Sequence, residues 1–144
     1  MGMLEIDWRD TLQTLLQLGV AFCLAIPVAW DRERHTKIMG LRTFPLVAMG
    51  SCAFVLVGES FIGPDDSDAQ ARLLQGMMAG IGFIGGGAIL KGKDHVAGTA
   101  SAASIWMMGA IGAAVAHHLY GMAIALSLAN VLVLRLFTPL KSTG

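Results

Sequence analysis

The residues of this chain that could do chemistry are a few carboxylates and amides set in apolar surroundings. Asp10, Gln13 and Gln17 fall at i, i+3 and i+7, so they share one face of any helix they occupy. Glu59 stands near the end of a second apolar run. A charge near the centre of a bilayer costs about 3 kcal/mol or more, so such groups point to a role. Two readings follow: Asp10 and Glu59 line one acidic pocket for a cation, or both simply reach the headgroup region. A second set is denser and holds Asp31, Arg32, Glu33, Arg34 and Arg42. Basic residues there anchor a helix at the interface, but carboxylates gain nothing from anionic lipid. An ion-pair network from Asp31 or Glu33 to Arg42 would tie this connection to the helix that follows.

Other patterns fail on context. Gly80-Ile-Gly-Phe-Ile-Gly85 fits the dinucleotide pattern G-x-G-x-x-G, yet it lies inside an apolar helix with no preceding strand. Gly87 to Lys93 reads G-x-x-x-x-G-K, but Asp94 follows where a phosphate loop needs Ser or Thr. Asp94, His95, Ser101 and Ser104 have no spacing that suits a nucleophilic set. His117 and His118 are adjacent, so on a helix they point about 100° apart and make a poor metal pair. Cys23 and Cys52 lie in apolar segments and read as small buried hydrophobes. No enzyme activity, cofactor, metal site or nucleic-acid partner is expected.

The elements that position these residues are membrane helices. Of 144 residues, 55% are hydrophobic and only 14% charged, against about a quarter charged in a soluble domain. Spanning the hydrocarbon takes roughly 20 apolar residues. Five stretches qualify or nearly so, near 11–30, 41–62, 73–90, 99–116 and 119–137. A soluble helical bundle would need charged outward stripes, which these segments lack. The expected fold is an all-α, polytopic transmembrane bundle of about five helices, forming one domain over 1–144. The first segment is not expected to be a cleaved signal, because its leading residues are acidic on balance.

A net charge of zero hides a strong asymmetry. Arg32, Arg34, Lys37 and Arg42 fill the first connection, Lys91 and Lys93 the third, and Arg135 and Lys141 the carboxyl end. Asp65, Asp66 and Asp68 fill the second. Basic residues collect on the cytoplasmic side. Five crossings put all three basic regions there, with the amino terminus outside.

Small residues let helices approach where lipid gives no hydrophobic drive. Gly76 with Gly80, and Gly109 with Ala113, each sit four apart. The third and fourth helices are therefore expected to form the tight centre. Gly85, Gly86 and Gly87 either permit close packing or break the third helix. Ser127 and Asn130 are expected to bond between helices.

These residues carry a resemblance to the MgtC/SapB family of bacterial membrane proteins, in its short form. Trp30-Asp-Arg-Glu33 with Gly40-Leu-Arg-Thr43 resembles the family's LERE…GLRT segment, and Gly80 to Ile89 resembles its GIGFLGAGVI segment. Val96 to Trp106 resembles its VRGLTTAASIW segment, and includes Gly98, Ser101 and Ser104. The likeness spans roughly 16–120. Asp31 replaces the family's usual Glu, and Ala97 its Arg, which puts an anion role at that loop in doubt. The resemblance implies that Asp31, Arg32, Glu33, Gly40, Arg42 and Thr43, the glycines Gly80, Gly82, Gly85, Gly86 and Gly87, and the Gly98 to Trp106 motif matter most. It also implies a multi-pass inner-membrane protein linked to low magnesium, acid stress or survival in host cells. Members are called magnesium transporters by association. Some are thought instead to restrain other membrane machines such as the proton-translocating ATP synthase. Longer members carry a soluble carboxyl-terminal domain. The sequence ends at Gly144, so no sensing through such a domain is expected. A homo-oligomer is expected.

Overall fold

A computed structural model describes residues 7–36, 39–63, 65–93 and 95–137. Lys37, Asp94 and Lys141, which the sequence reading uses, lie outside these residues. The described chain is an all-α bundle of five helices: α1 (Trp8–His35), α2 (Thr43–Glu59), α3 (Ser67–Gly87), α4 (Thr99–Ala116) and α5 (Tyr120–Phe137). One small antiparallel hairpin, β1 (Leu90–Lys91) and β2 (Val96–Ala97), joins α3 to α4. Helices α1, α4 and α5 are long and apolar enough to cross a membrane, and α2 is a shorter apolar helix.

Local chemistry sets the boundaries. Asp7 caps α1 by accepting from the Arg9 amide at 2.8 Å. That helix runs past the expected end near residue 30 because Arg32, Arg34 and His35 suit the negative end of its dipole. The charged segment Asp31 to His35 is thus the last turn of a helix rather than a connection. Asp66 accepts from the Ala69 amide at 3.0 Å and starts α3 six residues before the expected position, which brings Asp68 and Arg72 onto the helix. Pro45 falls in the first turn of α2, where its missing N–H removes no helical bond.

Helix α4 lies at the centre and touches all four other helices. It is buried on most of its circumference, which suits a helix with no polar face. Its closest partner is α2 and not α3, which corrects the expected centre. The reason is Gly112: a methyl group there would collide with the Ala48 carbonyl, Ser51 Cβ and the Cys52 amide of α2. Backbone meets backbone only because the side chain is missing. Of the α3 glycines, Gly85 alone is held closely, with a Cβ there falling 3.2 Å from the Ala102 carbonyl. Gly76, Gly80, Gly82, Gly86 and Gly87 face open space. Nor does the triple glycine break α3, which runs unbroken to Gly87 and stops there.

The outer surface carries large apolar side chains, among them Leu12, Leu16, Phe54, Phe83, Leu128 and Leu132. This is the inverse of a soluble protein's surface and suits a hydrocarbon solvent.

Candidate functional site

Polar side chains gather at the two ends of the bundle and along a seam between them. At one end, Asp31 and Arg32 are each 4% exposed although both are charged. Arg32 donates to Asp31 Oδ2 from Nε at 3.2 Å and from Nη2 at 2.6 Å. Adjacent helical residues diverge by about 100°, so the pair forms only because the arginine folds back along the helix surface. Arg135, exposed at the end of α5, brings its Nε to 3.8 Å from Asp31 Oδ1. His35 donates from Nδ1 to the Asp31 carbonyl at 2.7 Å. The Arg34 guanidinium stacks over Trp30, 4.8 Å from the ring centre.

Glu33 does not pair with Arg42, nor does Asp31, so the expected network to Arg42 is not formed. Glu33 Oε2 accepts instead from the Leu41 amide at 3.2 Å, just ahead of α2. An anion at the start of a helix is favoured by the free N–H groups there. Gly40 leaves room for this arrangement, since a Cβ there would strike Glu33. Arg42 is exposed and has no ion-pair partner among the described residues. Thr43 opens α2 and lines a groove beside α3. The family-like segment from Asp31 to Thr43 is therefore a built joint between α1 and α2.

Gly98 makes a second joint. Its φ of +85° is left-handed, and a Cβ would run into the Ala88 carbonyl. It locks the hairpin to the start of α4, whose first bond runs from the Ala102 amide to the Gly98 carbonyl at 2.8 Å. Trp106 is half exposed on the flank of α4.

Between the ends, Ser127 donates to the Leu24 carbonyl of α1 at 2.7 Å, and Ser104 donates to Asn130 Oδ1 at 2.9 Å. The interhelical bonds expected of Ser127 and Asn130 are present. Ser101 Oγ and Asn130 Nδ2 are buried with no partner among the described residues.

At the other end, Gln17 donates to the Val115 and Ala116 carbonyls at 3.3 and 3.0 Å, filling free acceptors at the end of α4. Glu59 Oε1 lies 2.9 Å from His117 Nδ1. Gln13 donates to His118 Nε2 at 3.4 Å, and His118 Nδ1 donates to the Tyr120 hydroxyl at 3.0 Å. The two carboxylates expected to share a pocket differ in their surroundings. Gln13 already meets the last residues of the α4–α5 turn, and Asp10, about 4.5 Å further along α1, projects beyond the bundle and is exposed. Glu59 faces a histidine instead.

His118 adopts φ +58°. The Leu119 amide bonds the Ala114 carbonyl at 2.8 Å, and the His118 amide bonds the Val115 carbonyl at 3.0 Å. That is a Schellman end, with histidine in the position usually held by glycine. Sequence reasoning weighed His117 and His118 only as a metal pair and so missed them as partners of Glu59 and Gln13. The one available signal was their place between two apolar runs. No group of three or more His, Cys, Asp or Glu that could hold a metal ion occurs among the described residues.

The protein is 34% identical to SrpB of Synechococcus elongatus over 80% of this chain and 69% of that protein. It is 31% identical to YhiD of Escherichia coli K12, provisionally named a magnesium transporter, over 90% of this chain and 63% of that one. It is 35% identical to MgtC of Brucella abortus over 73% of this chain and 43% of that one. The chain thus spans between about two fifths and two thirds of the length of these relatives. No solved structure matches. Residues 18–143 match the MgtC family profile, and the chain belongs to the MgtC family of membrane proteins.

Proposed function

We propose that this chain is a regulatory protein of the bacterial inner membrane that acts by helix contact with other membrane proteins, and is neither an enzyme nor an ion carrier. The observation that carries this reading is where the polar and open surfaces lie. The buried charges, Asp31 and Arg32, are engaged with each other, while a wide apolar groove of about 900 Å³ stands open along α2 and α3. Polar groups spent on internal joints, with apolar surface left over, suit binding rather than conduction. The role served is adaptation to low magnesium, acid or life inside a host cell, and a proton-translocating ATP synthase is one partner of the right kind. All five helices cross, with the Asp31 end cytoplasmic. This is supported by the basic residues near that end and by Asp65, Asp66 and Asp68 before the helix that returns.

A second reading, transport of Mg²⁺ or protons, is favoured by the name of the E. coli relative. The two separate in proteoliposomes. The regulatory reading expects no protein-dependent Mg²⁺ or proton flux, together with crosslinking to a larger membrane complex in cells. Flux that Glu59→Gln abolishes would establish the second reading and defeat the first.

A further inference from the structure

We propose that the groove between α2 and α3 is a self-association surface, filled by α3 of a second copy of this chain. The two helices meet at the Glu59 end, where Leu73 fills the place a Gly58 side chain would take. They leave between them a space of about 900 Å³, lined by Leu46, Phe54, Met77 and Phe83 among others. Its floor is Gly50, Gly76 and Gly80, and a Cβ at any of the three would meet nothing within 4 Å. The glycines are therefore not consumed by packing inside one copy.

The occupant is indicated by charge. Asp68, Arg72, Gly76, Gly80 and Ile84 recur at four-residue intervals along α3 and all are exposed. Rows of this spacing run nearly along a helix, and two of them interlock at a crossing of about −40° when small residues let the backbones touch. Asp68 and Arg72 have no ion-pair partner among the described residues. Set two α3 helices side by side, parallel, about a two-fold axis along the membrane normal. Arg72 of each copy then stands one helical turn, about 6 Å along the axis, from Asp68 of the other, within reach of its long side chain, so that two reciprocal ion pairs close where the row meets the interface. A second copy supplies this complement by symmetry. Anionic lipid is disfavoured, because Asp65, Asp66 and Asp68 lie within two turns of Arg72 at the start of α3. The arrangement needs both copies inserted the same way and does not depend on which functional reading holds.

The test is association of the full chain, labelled for energy transfer and diluted in phosphatidylethanolamine–phosphatidylglycerol vesicles. Gly76→Ile with Gly80→Ile is expected to weaken association at least about tenfold. Gly82→Ile, equally open but off the row, is expected to leave it unchanged. Asp68→Arg and Arg72→Asp are each expected to weaken the dimer, and the double exchange to restore it. Because the changed positions meet no neighbour within one copy or are exposed, each variant should keep the wild-type helix content. A protein that stays monomeric at every dilution, with or without lipid retained, overturns the proposal. So does a dimer indifferent to Gly76 and Gly80, or a double exchange that fails to restore association.

Discussion

Asp31→Asn is the sharpest test of the charged joint. The substitution keeps the shape of the side chain but leaves Arg32, a residue only 4% exposed, without its countercharge. Removing one member of a buried ion pair costs about 3–5 kcal/mol, most of it the burden of the charge left behind. Arg135 cannot offset the loss, because it is itself a cation whose partner here is Asp31. It sits 3.8 Å away with its side chain 68% exposed, and an exposed pair contributes under about 1 kcal/mol. The double substitution Asp31→Leu with Arg32→Met removes both charges and keeps the volume, so it should be markedly less damaging than Asp31→Asn alone. Arg135→Ala should cost under about 1 kcal/mol. Unfolding in mixed micelles by increasing dodecyl sulfate, followed by tryptophan emission, reads all of these. Trp30 is suited to report, being stacked against Arg34 one residue from the pair. If Asp31→Asn costs no more than Arg135→Ala, Arg32 escapes to water unaided and the reasoning fails. A double variant as unstable as the single would also refute it.

Other expectations follow from the glycines, the serines and the α4–α5 turn. Gly112→Ala should cost more than about 2 kcal/mol, because the α2 backbone must retreat, whereas Gly86→Ala should be neutral or stabilising by up to about 1 kcal/mol; the same unfolding titration compares them. Ser104→Ala strips Asn130 of its one bonded amide atom and should cost about 1 kcal/mol. Ser101→Ala removes a hydroxyl that has no partner among the described residues and should cost nothing or stabilise; thermal unfolding in detergent separates the two. His118→Gly relieves a left-handed residue but loses the bonds to Gln13 and Tyr120, so it should stay within about 1 kcal/mol of wild type, and His118→Ala should be worse by about 1 kcal/mol. Equal effects of glycine and alanine there would mean that the turn carries no strain.

Hydrophobic runs made the helices legible, and α4 spans the same residues, 99–116, as the run suggests. The ends were less so. Asp31 to His35 looks like a polar connection, yet charges favoured by the helix dipole extend α1 through it. Glycine spacing was the weakest guide. Four-residue spacing says that a helix face is small, not what lies opposite. Gly109 and Gly112 of α4 meet neighbours while Gly76 and Gly80 of α3 meet none. Glu59 was not legible as a histidine's partner for a related reason: spacing along the chain does not fix which faces meet at one end of a bundle. His117 and His118 were placed correctly between two helices, but nothing in the sequence marks His118 as left-handed or says which side chains the turn brings to them.

The lengths of the helices that enclose the core have a consequence for where the protein settles. Helices α2, α4 and α5 have 17, 18 and 18 residues, which at about 1.5 Å rise gives roughly 25–27 Å. That is a few ångströms less than the average hydrocarbon thickness of about 30 Å. The bundle cannot lengthen, since Gly112 and Gly98 fix its registers, so the lipid around it must thin or the protein must seek thinner regions. Each ångström of disagreement costs a fraction of a kcal/mol. Under the five-crossing reading proposed above, the rigid joints that hold this small bundle together also favour thinner bilayer around α2, α4 and α5, in short-chain or fluid patches or beside neighbours that thin the membrane in the same way.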